Sequence, residues 1–239
     1  MEKNEGWAAK EAAEQYIKIA DIAIPFRKEI LSLIATLATT FVPERPRMLD
    51  LGCGHGDVTA AILKLKPDAS VCMVDFSDEM LRLSSERFKD YAGISIIKHD
   101  LNTSMAESAI GKGFDAVVSC FALHHIELSQ RVKLYSEIRE MLKEGGLFIN
   151  GDRFKEDSPV LDEWVYSDWI SFRVHQIREK LGRETTLDLE KQRQRETDKI
   201  MGDKPGTVWE MQNDLKQAGF RYVDCIWKYQ TLAIMAASR

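Results

Sequence analysis

The sequence is poor in cysteine and lacks long apolar runs. Its four cysteines are scattered without the spacing typical of metal ligands, and three of them lie in apolar runs, where a thiol behaves as a small hydrophobic group. We therefore expect reduced core cysteines and no metal site. The chain has no run of about 20 apolar residues that could span a membrane, and its polar first residues carry no export signal. These absences predict a cytoplasmic protein with no membrane partner.

An excess of positive charge is also missing. The chain contains 38 acidic and 33 basic residues, for a net charge of -5. A protein that binds nucleic acid by neutralising phosphates has the opposite balance over its binding surface. DNA is therefore excluded as a predicted partner. A tRNA partner is disfavoured because no RNA-binding segment is appended, and a small molecule is favoured.

The length and apolar content predict one domain. With 239 residues, of which 44% are hydrophobic, the chain can bury one sizeable core but has little material for a second. Within this single domain, residues 1–239, four segments differ in pattern. They are N-terminal helices at 1–42 that break near Pro25, a core at 43–154, a charged helical insertion at 155–205 anchored by Trp164 and Trp169, and a last helix with a strand hairpin at 206–239.

Short apolar runs alternate with helical patterns in the core segment. The predicted strands are 48–51, 71–75, 94–97, 116–119 and 147–149, and the predicted helices are 58–65, 78–91 and 128–142. This alternation is typical of a parallel sheet covered on both faces. Two further strands, 222–227 and 231–236, are joined by a link too short for anything but an antiparallel pair. The sequence therefore predicts a doubly wound α/β fold whose mostly parallel seven-stranded sheet ends in an antiparallel hairpin.

A glycine-rich loop follows the first predicted strand and opens the next helix. It reads Asp50-Leu51-Gly52-Cys53-Gly54-His55-Gly56. Glycines at such a loop allow backbone conformations closed to other residues and let the main chain approach a ligand. Asp75 ends the second strand, at the distance downstream where a carboxylate reaches the hydroxyls of a ribose. Together these features predict a nucleoside site.

The order of the glycines indicates which nucleoside this loop binds. A dinucleotide loop has the order G-x-G-x-x-G, so that a helix N-terminus meets a pyrophosphate. Here the order is D-x-G-x-G-x-G. The Asp50 carboxylate repels phosphate and suits the ammonium of a methionine tail.

Four segments resemble class I S-adenosylmethionine-dependent methyltransferases, over about residues 43–151. The resemblance implies a Rossmann-like fold with S-adenosylmethionine as cofactor. It also implies where each part of the cofactor binds. The methionine part lies on Asp50 and the loop residues Gly52, Cys53, Gly54 and Gly56, the ribose lies on Asp75, and the sulfonium lies near Cys120. The adenine lies between Phe76 and Met80, and its amino group donates to Asp100, beside Leu101. The segments are Leu49–Gly56, Val74–Leu81, His99–Leu101 and Leu142–Leu147.

The candidates for catalysis follow the fourth and fifth strands. Methyl transfer is an in-line displacement, so positioning supplies much of the acceleration and a base is needed only when the acceptor carries a proton. His124 or His125 is the candidate base, with a structural role as the alternative. Asp152, followed by Arg153, is expected to face the same cleft and orient an acceptor, with a surface ion pair as the alternative.

Both ends of the chain resemble the subgroup that includes carboxy-S-adenosylmethionine synthase. The segments are Ile24–Arg27, where Phe26-Arg27 replaces a tyrosine of that subgroup, and Ala218–Phe220 with Trp227. This resemblance implies a homodimer. It also places Arg195 near the active-site arginine of the subgroup; the alternative is a charge on a solvated helix face.

The first functional hypothesis is a methyltransferase acting on a small-molecule acceptor, enclosed by the helical insertion and the N-terminal helices. The alternatives are a carboxy-S-adenosylmethionine synthase-like enzyme and a non-catalytic cofactor-binding protein. The sequence leaves the acceptor atom and the need for a base open.

Overall fold

The structure is a computed structural model that describes residues 10–106 and 108–239. Helices α1 (Lys10–Ala23) and α2 (Arg27–Thr40) precede the first strand. The chain turns between them at Phe26, whose φ of 55° is left-handed, directly after Pro25. The predicted break is therefore present. The expected helix start near Ala8 falls outside the described residues.

The rest of the chain alternates strands and helices as predicted and then adds the helical insertion and the hairpin. In chain order the elements are β1 (Arg47–Leu51), α3 (Asp57–Leu65), β2 (Ser70–Asp75), α4 (Asp78–Arg87), β3 (Ile94–Lys98), β4 (Phe114–Cys120), α5 (Leu128–Met141), β5 (Leu142–Arg153), α6 (Pro159–Leu181), α7 (Leu187–Met201), α8 (Val208–Gln217), β6 (Tyr222–Tyr229) and β7 (Leu232–Ser238).

The seven strands form one sheet in the order β3-β2-β1-β4-β5-β7-β6. Strands β1 to β5 pair in parallel, while β7 runs antiparallel to both β5 and β6. The predicted doubly wound fold with its antiparallel hairpin is thus confirmed. The strand order reverses between β1 and β4. In open α/β sheets, ligands bind in the crevice at the carboxyl ends of the strands at this reversal.

Alternate residues of the central strands pack against opposite layers of helices. Met48 of β1 faces a buried cluster with Ile34 of α2 and Ile62 of α3. The next residue, Leu49, faces a second cluster with Ile138 of α5 and further side chains from α8. Because successive side chains of a strand point to opposite faces, continuous apolar runs give a sheet that is covered on both sides.

The largest departures from the predicted element boundaries are in β5 and α4. Strand β5 starts at Leu142, five residues before the predicted start, and contains an irregularity opposite Phe114 and Ala116. Its first half carries exposed residues, so only its buried second half has an apolar pattern. Helix α4 ends at Arg87 although the apolar spacing continues to Tyr91.

In the insertion, helix α6 packs against α1, and α7 packs against α6. The buried Trp169 of α6 donates from its indole nitrogen to the carbonyl of Ala23 at the end of α1, over 3.0 Å. Lys191 of α7 forms a 2.8 Å ion pair with Glu163 of α6. Within the described ranges, no helix combines the length and apolar character that crossing a membrane requires.

Candidate functional site

The glycine loop between β1 and α3 has a tightly turned backbone. Gly52 and Gly56 have φ values of 63° and 87°, in the left-handed region. A Cβ at Gly52 would lie 2.2 Å from Cβ of Ala122, and a Cβ at Gly56 would lie 2.3 Å from the Phe88 ring. Both positions therefore require glycine for the backbone angle and for space.

Asp50, at the end of β1, is a buried carboxyl group with one satisfied oxygen. Thr59 donates its hydroxyl to Oδ2 over 2.6 Å. The second oxygen, Oδ1, is buried and accepts no hydrogen bond from the described residues. Burial raises the pKa of Asp50 to about 7, the hydrogen bond from Thr59 opposes this shift, and the nearby Asp75 charge adds to it. This geometry suits a positively charged hydrogen-bond donor, such as the ammonium of a methionine tail, at Oδ1.

Asp75 ends β2 on the opposite side of the loop. Its Oδ2 accepts from the Gly54 amide and its Oδ1 from the Ser77 amide, both over 2.9 Å. Burial raises the pKa of this carboxyl, while these backbone hydrogen bonds lower it. Each carboxylate oxygen has a second lone pair, so the group can hold the loop and still accept from ligand hydroxyls.

A cavity of about 970 Å³, including its open mouth, lies at the carboxyl ends of the strands. We call it the first cavity. All the predicted cofactor residues except Gly56 line it: Asp50, Gly52, Cys53, Gly54, Asp75, Phe76, Met80, Asp100, Leu101 and Cys120. Gly56 instead caps α3, behind the loop.

Asp100 and Asn102 shape the end of the first cavity beyond β3. Oδ1 of Asp100 accepts from the Asn102 backbone at 2.9 Å and from the Asn102 side chain at 3.2 Å. Oδ1 of Asn102 in turn accepts from the backbone N–H of Glu127 over 3.0 Å. These bonds fix the Asp100 carboxylate at the cavity wall. Asn102 was not among the predicted residues, because a single asparagine in a loop has no distinguishing pattern.

Arg27 and Tyr16 close the first cavity from the N-terminal helices. Arg27 is buried and pairs with Asp21 at 2.7 Å and with Asp57 at 2.5 Å. Burial alone would lower the pKa of Arg27, but Tyr16 and these carboxylates keep it above its usual value. In the sequence, Arg27 departs from the pattern of a related subgroup, and no site role was predicted for it.

A second cavity adjoins the first. Tyr16, Phe121 and His125 line both of them, so the two spaces meet at these side chains. Phe121 has a φ of 54°, which is strained for a residue other than glycine. The walls of the second cavity come mainly from α1, α6 and α7 and include the apolar residues Ile19, Ala20, Ala23, Ile24, Trp169, Ile200, Met201 and Leu232.

His124 is held by Asp152. Its Nδ1 lies 2.6 Å from Oδ1 of Asp152, and its backbone N–H donates to Oδ2 over 3.1 Å. Burial lowers the pKa of His124, but the Asp152 charge outweighs burial and the net shift is upward. Burial raises the pKa of Asp152, and the His124 charge shifts it below its usual value. Asp152 lines neither cavity, so it reaches the second one only through His124.

His125 stands at the junction of the cavities. Its Nδ1 lies 3.1 Å from Oδ1 of Asp203. Burial and then the positive charge of His124 lower the pKa of His125, so it is neutral near pH 7. Asp203 follows α7, and its pKa lies well below the usual range: burial raises it, and the close contact with His125 and the nearby positive charges more than offset this. Asp203 lies 78 residues from His125 in the chain and no sequence pattern marked it.

Arg153 supplies a fixed charge to the second cavity. It forms paired hydrogen bonds of 2.9 and 2.8 Å to Asp198 and lies 3.2 Å from Asp203. Its guanidinium stacks over Trp169, 5.2 Å from the ring centre. Arg153 therefore lines the second cavity, and the neighbouring Asp152, the predicted residue, does not.

Arg195 lies apart from the two cavities. It is exposed on α7, pairs with Glu163 at 3.1 Å and stands over the Tyr166 ring at 5.7 Å. It lines neither cavity. The predicted contact between Arg195 and a ligand is therefore not supported by its position outside both cavities and stays a prediction.

Residues 48–146 match a protein family described as a methyltransferase domain. The match runs from β1 into β5 and so contains the glycine loop, Asp75, Asp100 and both histidines. Together with the fold and the first cavity, this match indicates that residues 48–146 form the core of an enzyme of the methyltransferase class.

Within that class, the chain is similar to proteins named carboxy-S-adenosyl-L-methionine synthase. The one from Nautilia profundicola is 22% identical over 237 residues, which cover 95% of this chain and 92% of the relative. The one from Colwellia psychrerythraea is 30% identical over 146 residues, which cover 59% of this chain and 58% of the relative.

Solved structures share the fold. A candidate S-adenosyl-L-methionine-dependent methyltransferase from Methanococcus maripaludis has a TM-score of 0.65 at 20% identity, with 100% of this chain and 97% of that chain covered. Human N-acetylserotonin methyltransferase, solved with S-adenosylmethionine, has a TM-score of 0.63 at 15% identity, with 98% and 57% covered.

Proposed function

We propose that this enzyme transfers a methyl group to a small-molecule acceptor bound in the second cavity. The observation that carries the proposal is the shared wall at Tyr16, Phe121 and His125, which joins the first cavity to a largely apolar second one. When bound, S-adenosylmethionine supplies an electrophilic methyl group on its sulfonium. A second cavity that opens onto this position allows the in-line approach that displacement needs.

In this proposal, different residues of the first cavity bind different parts of the cofactor. Oδ1 of Asp50 accepts from the ammonium, and the loop glycines allow close contact with the methionine part. Asp75 accepts from the ribose hydroxyls. Phe76 and Met80 flank the adenine, and Asp100, with Leu101 beside it, accepts from the adenine amino group. This assignment is supported by the residues that line the first cavity, above all by the buried oxygen of Asp50.

His125 takes the acceptor's proton when the acceptor carries one. It is neutral near pH 7, its Nδ1 is oriented by Asp203, and its Nε2 can receive the proton. Asp203 then stabilises the imidazolium, as the carboxylate of a catalytic dyad does. Asp152 orients His124, whose ring packs against His125 with 4.0 Å between the ring centres.

Turnover of S-adenosylmethionine to S-adenosylhomocysteine tests the proposal. Purified enzyme is incubated with the cofactor and a panel of apolar acceptors that carry a hydroxyl, amine or thiol group. Acceptor-dependent product is the expected result. Cofactor binding without turnover on any acceptor would favour a non-catalytic cofactor-binding protein instead.

A carboxy-S-adenosylmethionine synthase-like activity is the second candidate. The names of the relatives favour it, and one of them aligns over 95% of this chain. Mass spectrometry of the nucleoside that copurifies with the protein distinguishes the two. A carboxylated sulfonium supports the second candidate, and unmodified S-adenosylmethionine supports the first.

We further propose that the enzyme is a cytoplasmic homodimer of single-domain chains without DNA or tRNA partners. The net charge of -5 supports the absence of nucleic-acid partners, and the subgroup resemblance supports the dimer. Light scattering after size-exclusion chromatography measures the oligomeric state. A tRNA binding assay at moderate salt tests the proposed absence of a tRNA partner.

A further inference from the structure

Three side chains with metal-ligand atoms meet on the wall of the second cavity. His124, His125 and Asp203 each offer one such atom, and these atoms all lie within 4.8 Å of one another. All three residues line the cavity. We propose that this trio, the His-His-Asp cluster, binds a divalent transition-metal cation such as Zn²⁺.

The spacing of the atoms matches a coordination shell. Nδ1 of His125 lies 3.1 Å from Oδ1 of Asp203, and Nε2 of His124 lies 3.7 Å from Oδ2 of the same carboxylate. With metal–ligand bonds of about 2.1 Å, two neighbouring ligand atoms are separated by roughly 3.0–3.4 Å in octahedral or tetrahedral geometry. Small side-chain rotations therefore suffice to bring these atoms around one ion.

One buried atom of the cluster is poorly satisfied by the protein. Asp203 is 8% exposed, and its Oδ1 has no hydrogen bond of acceptable geometry among the described residues although Nδ1 of His125 is near. A network built only for hydrogen bonding satisfies such an atom, because a buried acceptor without a partner is costly. A cation at this position supplies the missing partner.

Two groups behind the cluster hold its ligands in place. Asp152 contacts Nδ1 of His124 at 2.6 Å, so the Nε2 lone pair is directed towards the cluster. Arg153 lies 3.2 Å from Oδ2 of Asp203 and leaves Oδ1 for the ion. Metal-binding histidines and carboxylates almost always have outer partners of this kind.

The local charge also favours a cation. Around the cluster, the carboxylates of Asp152, Asp198 and Asp203 outnumber the guanidinium of Arg153, which pairs with two of them. These carboxylates and the one guanidinium leave excess negative charge in a buried region. A divalent ion balances this excess, and two nitrogen ligands with one carboxylate suit Zn²⁺ or Co²⁺ better than Mg²⁺.

Three protein ligands beside a cavity leave a coordination position open to a bound molecule. A bound metal ion lowers the pKa of a coordinated hydroxyl and so removes the need for a separate base. Under the proposed function, the acceptor class is therefore an apolar molecule with a hydroxyl. In the metal-bound state, Nδ1 of His125 is a ligand, and His125 no longer acts as the base.

Titration with the metal alone tests the site. Chelator-treated protein in a Cys225→Ser background, which removes the exposed thiol, is titrated with Co²⁺ and Zn²⁺ without cofactor or acceptor. The expected result is one ion per chain with the visible absorption of Co²⁺ bound to nitrogen and oxygen. Asp203→Asn and His125→Gln should abolish this binding, and Asp152→Asn should weaken it by about 10- to 100-fold.

The matched control is His175→Gln, which removes an exposed histidine of α6 and should bind the ion as the parent does. Absence of stoichiometric binding by the parent protein, or retention of binding in Asp203→Asn and His125→Gln, overturns the proposal. If the variants do not fold, anomalous diffraction from Zn²⁺-soaked crystals of the parent protein decides: a peak elsewhere, or none, also overturns it. Because no methyl transfer is measured, failure here leaves the proposed methyltransferase activity untouched.

Discussion

The hydroxyl of Thr59 donates a 2.6 Å hydrogen bond to Oδ2 of Asp50, which lines the first cavity, while Oδ1 of the same carboxyl group is buried and has no donor among the described residues. The carboxylate is thus oriented by the first turn of α3. Because one oxygen is occupied by the protein and the other is not, Asp50 has a position for a single ligand donor.

Asp50→Asn should weaken S-adenosylmethionine binding. The variant keeps the shape of the side chain but removes its charge, and a hydrogen bond to a charged group contributes about 1.5–3 kcal/mol, or ~10- to 150-fold in affinity. Isothermal titration calorimetry measures the change. Thr59→Val is the matched control: it removes the orienting bond but keeps the carboxylate, so a smaller loss is expected. Equal affinity of Asp50→Asn and the parent protein would contradict the assignment.

Cofactor affinity should fall as the pH falls below 7. The pKa of Asp50 is about 7 in the free protein. The ammonium of the cofactor stabilises the ionised form, so binding at lower pH must release a proton. Well below pH 7 this costs ~tenfold in affinity per pH unit. Calorimetry from about pH 8 to pH 5.5, in buffers of different ionisation enthalpy, detects the released proton. In Asp50→Asn this dependence should be absent.

His125→Ala should lower kcat more than it changes KM when the acceptor carries a proton. Loss of a general base costs about 10²- to 10⁴-fold. Because the pKa of His125 lies below its usual value of 6.5, the fall in kcat on acidification, at saturating cofactor and acceptor, should have its midpoint below pH 6.5. His175→Ala is the control. A variant with unchanged kcat would show that His125 is not the base.

Gly52→Ala should destabilise the protein more than Gly54→Ala. Both glycines have left-handed φ values, of 63° and 53°. A Cβ at Gly52 would lie 2.2 Å from Cβ of Ala122, whereas one at Gly54 would meet only the Met80 sulfur at 3.9 Å. The backbone strain is therefore shared, and an overpacking cost of about 1–3 kcal/mol is specific to Gly52. Chemical denaturation measures the difference, and Ala122→Gly should restore part of the stability of Gly52→Ala.

Arg195→Ala should leave kcat and KM within about twofold of the parent, because an exposed ion pair contributes about 0–1 kcal/mol. The neighbouring Lys191→Ala, which removes the other cation paired with Glu163, provides the comparison. A large, selective loss of activity in Arg195→Ala would instead support the role that the subgroup resemblance implied.

The sequence was sufficient to predict the sheet and the first cavity because both depend on local patterns. Buried parallel strands are continuous apolar runs, and the loop from Asp50 to Gly56 is contiguous in the chain. The start of β5 was missed because exposed residues such as Lys143 and Glu144 separate its first pair with β4, at Leu142, from the apolar run that begins at Leu147.

The second cavity could not be predicted from local sequence patterns. His125, which follows β4, contacts Asp203, and Arg153, at the end of β5, contacts Asp198, because the insertion packs over these strand ends. In the sequence, an acidic residue of a charged helical segment that faces a cavity cannot be distinguished from one that faces solvent. Only the tertiary structure brings these distant groups together.

The hydrogen bond from Trp169 to Ala23 joins the insertion to the N-terminal helices across 146 residues of chain. The walls of the second cavity thus come mainly from helices outside the sheet, whereas the glycine loop follows directly from β1. Helices α6 and α7 contribute to the second cavity and not to the first. Under the proposed function, substitutions in these two helices should therefore alter which molecules are methylated while leaving recognition of the methyl donor intact, and a library restricted to them would be the economical route to a new specificity.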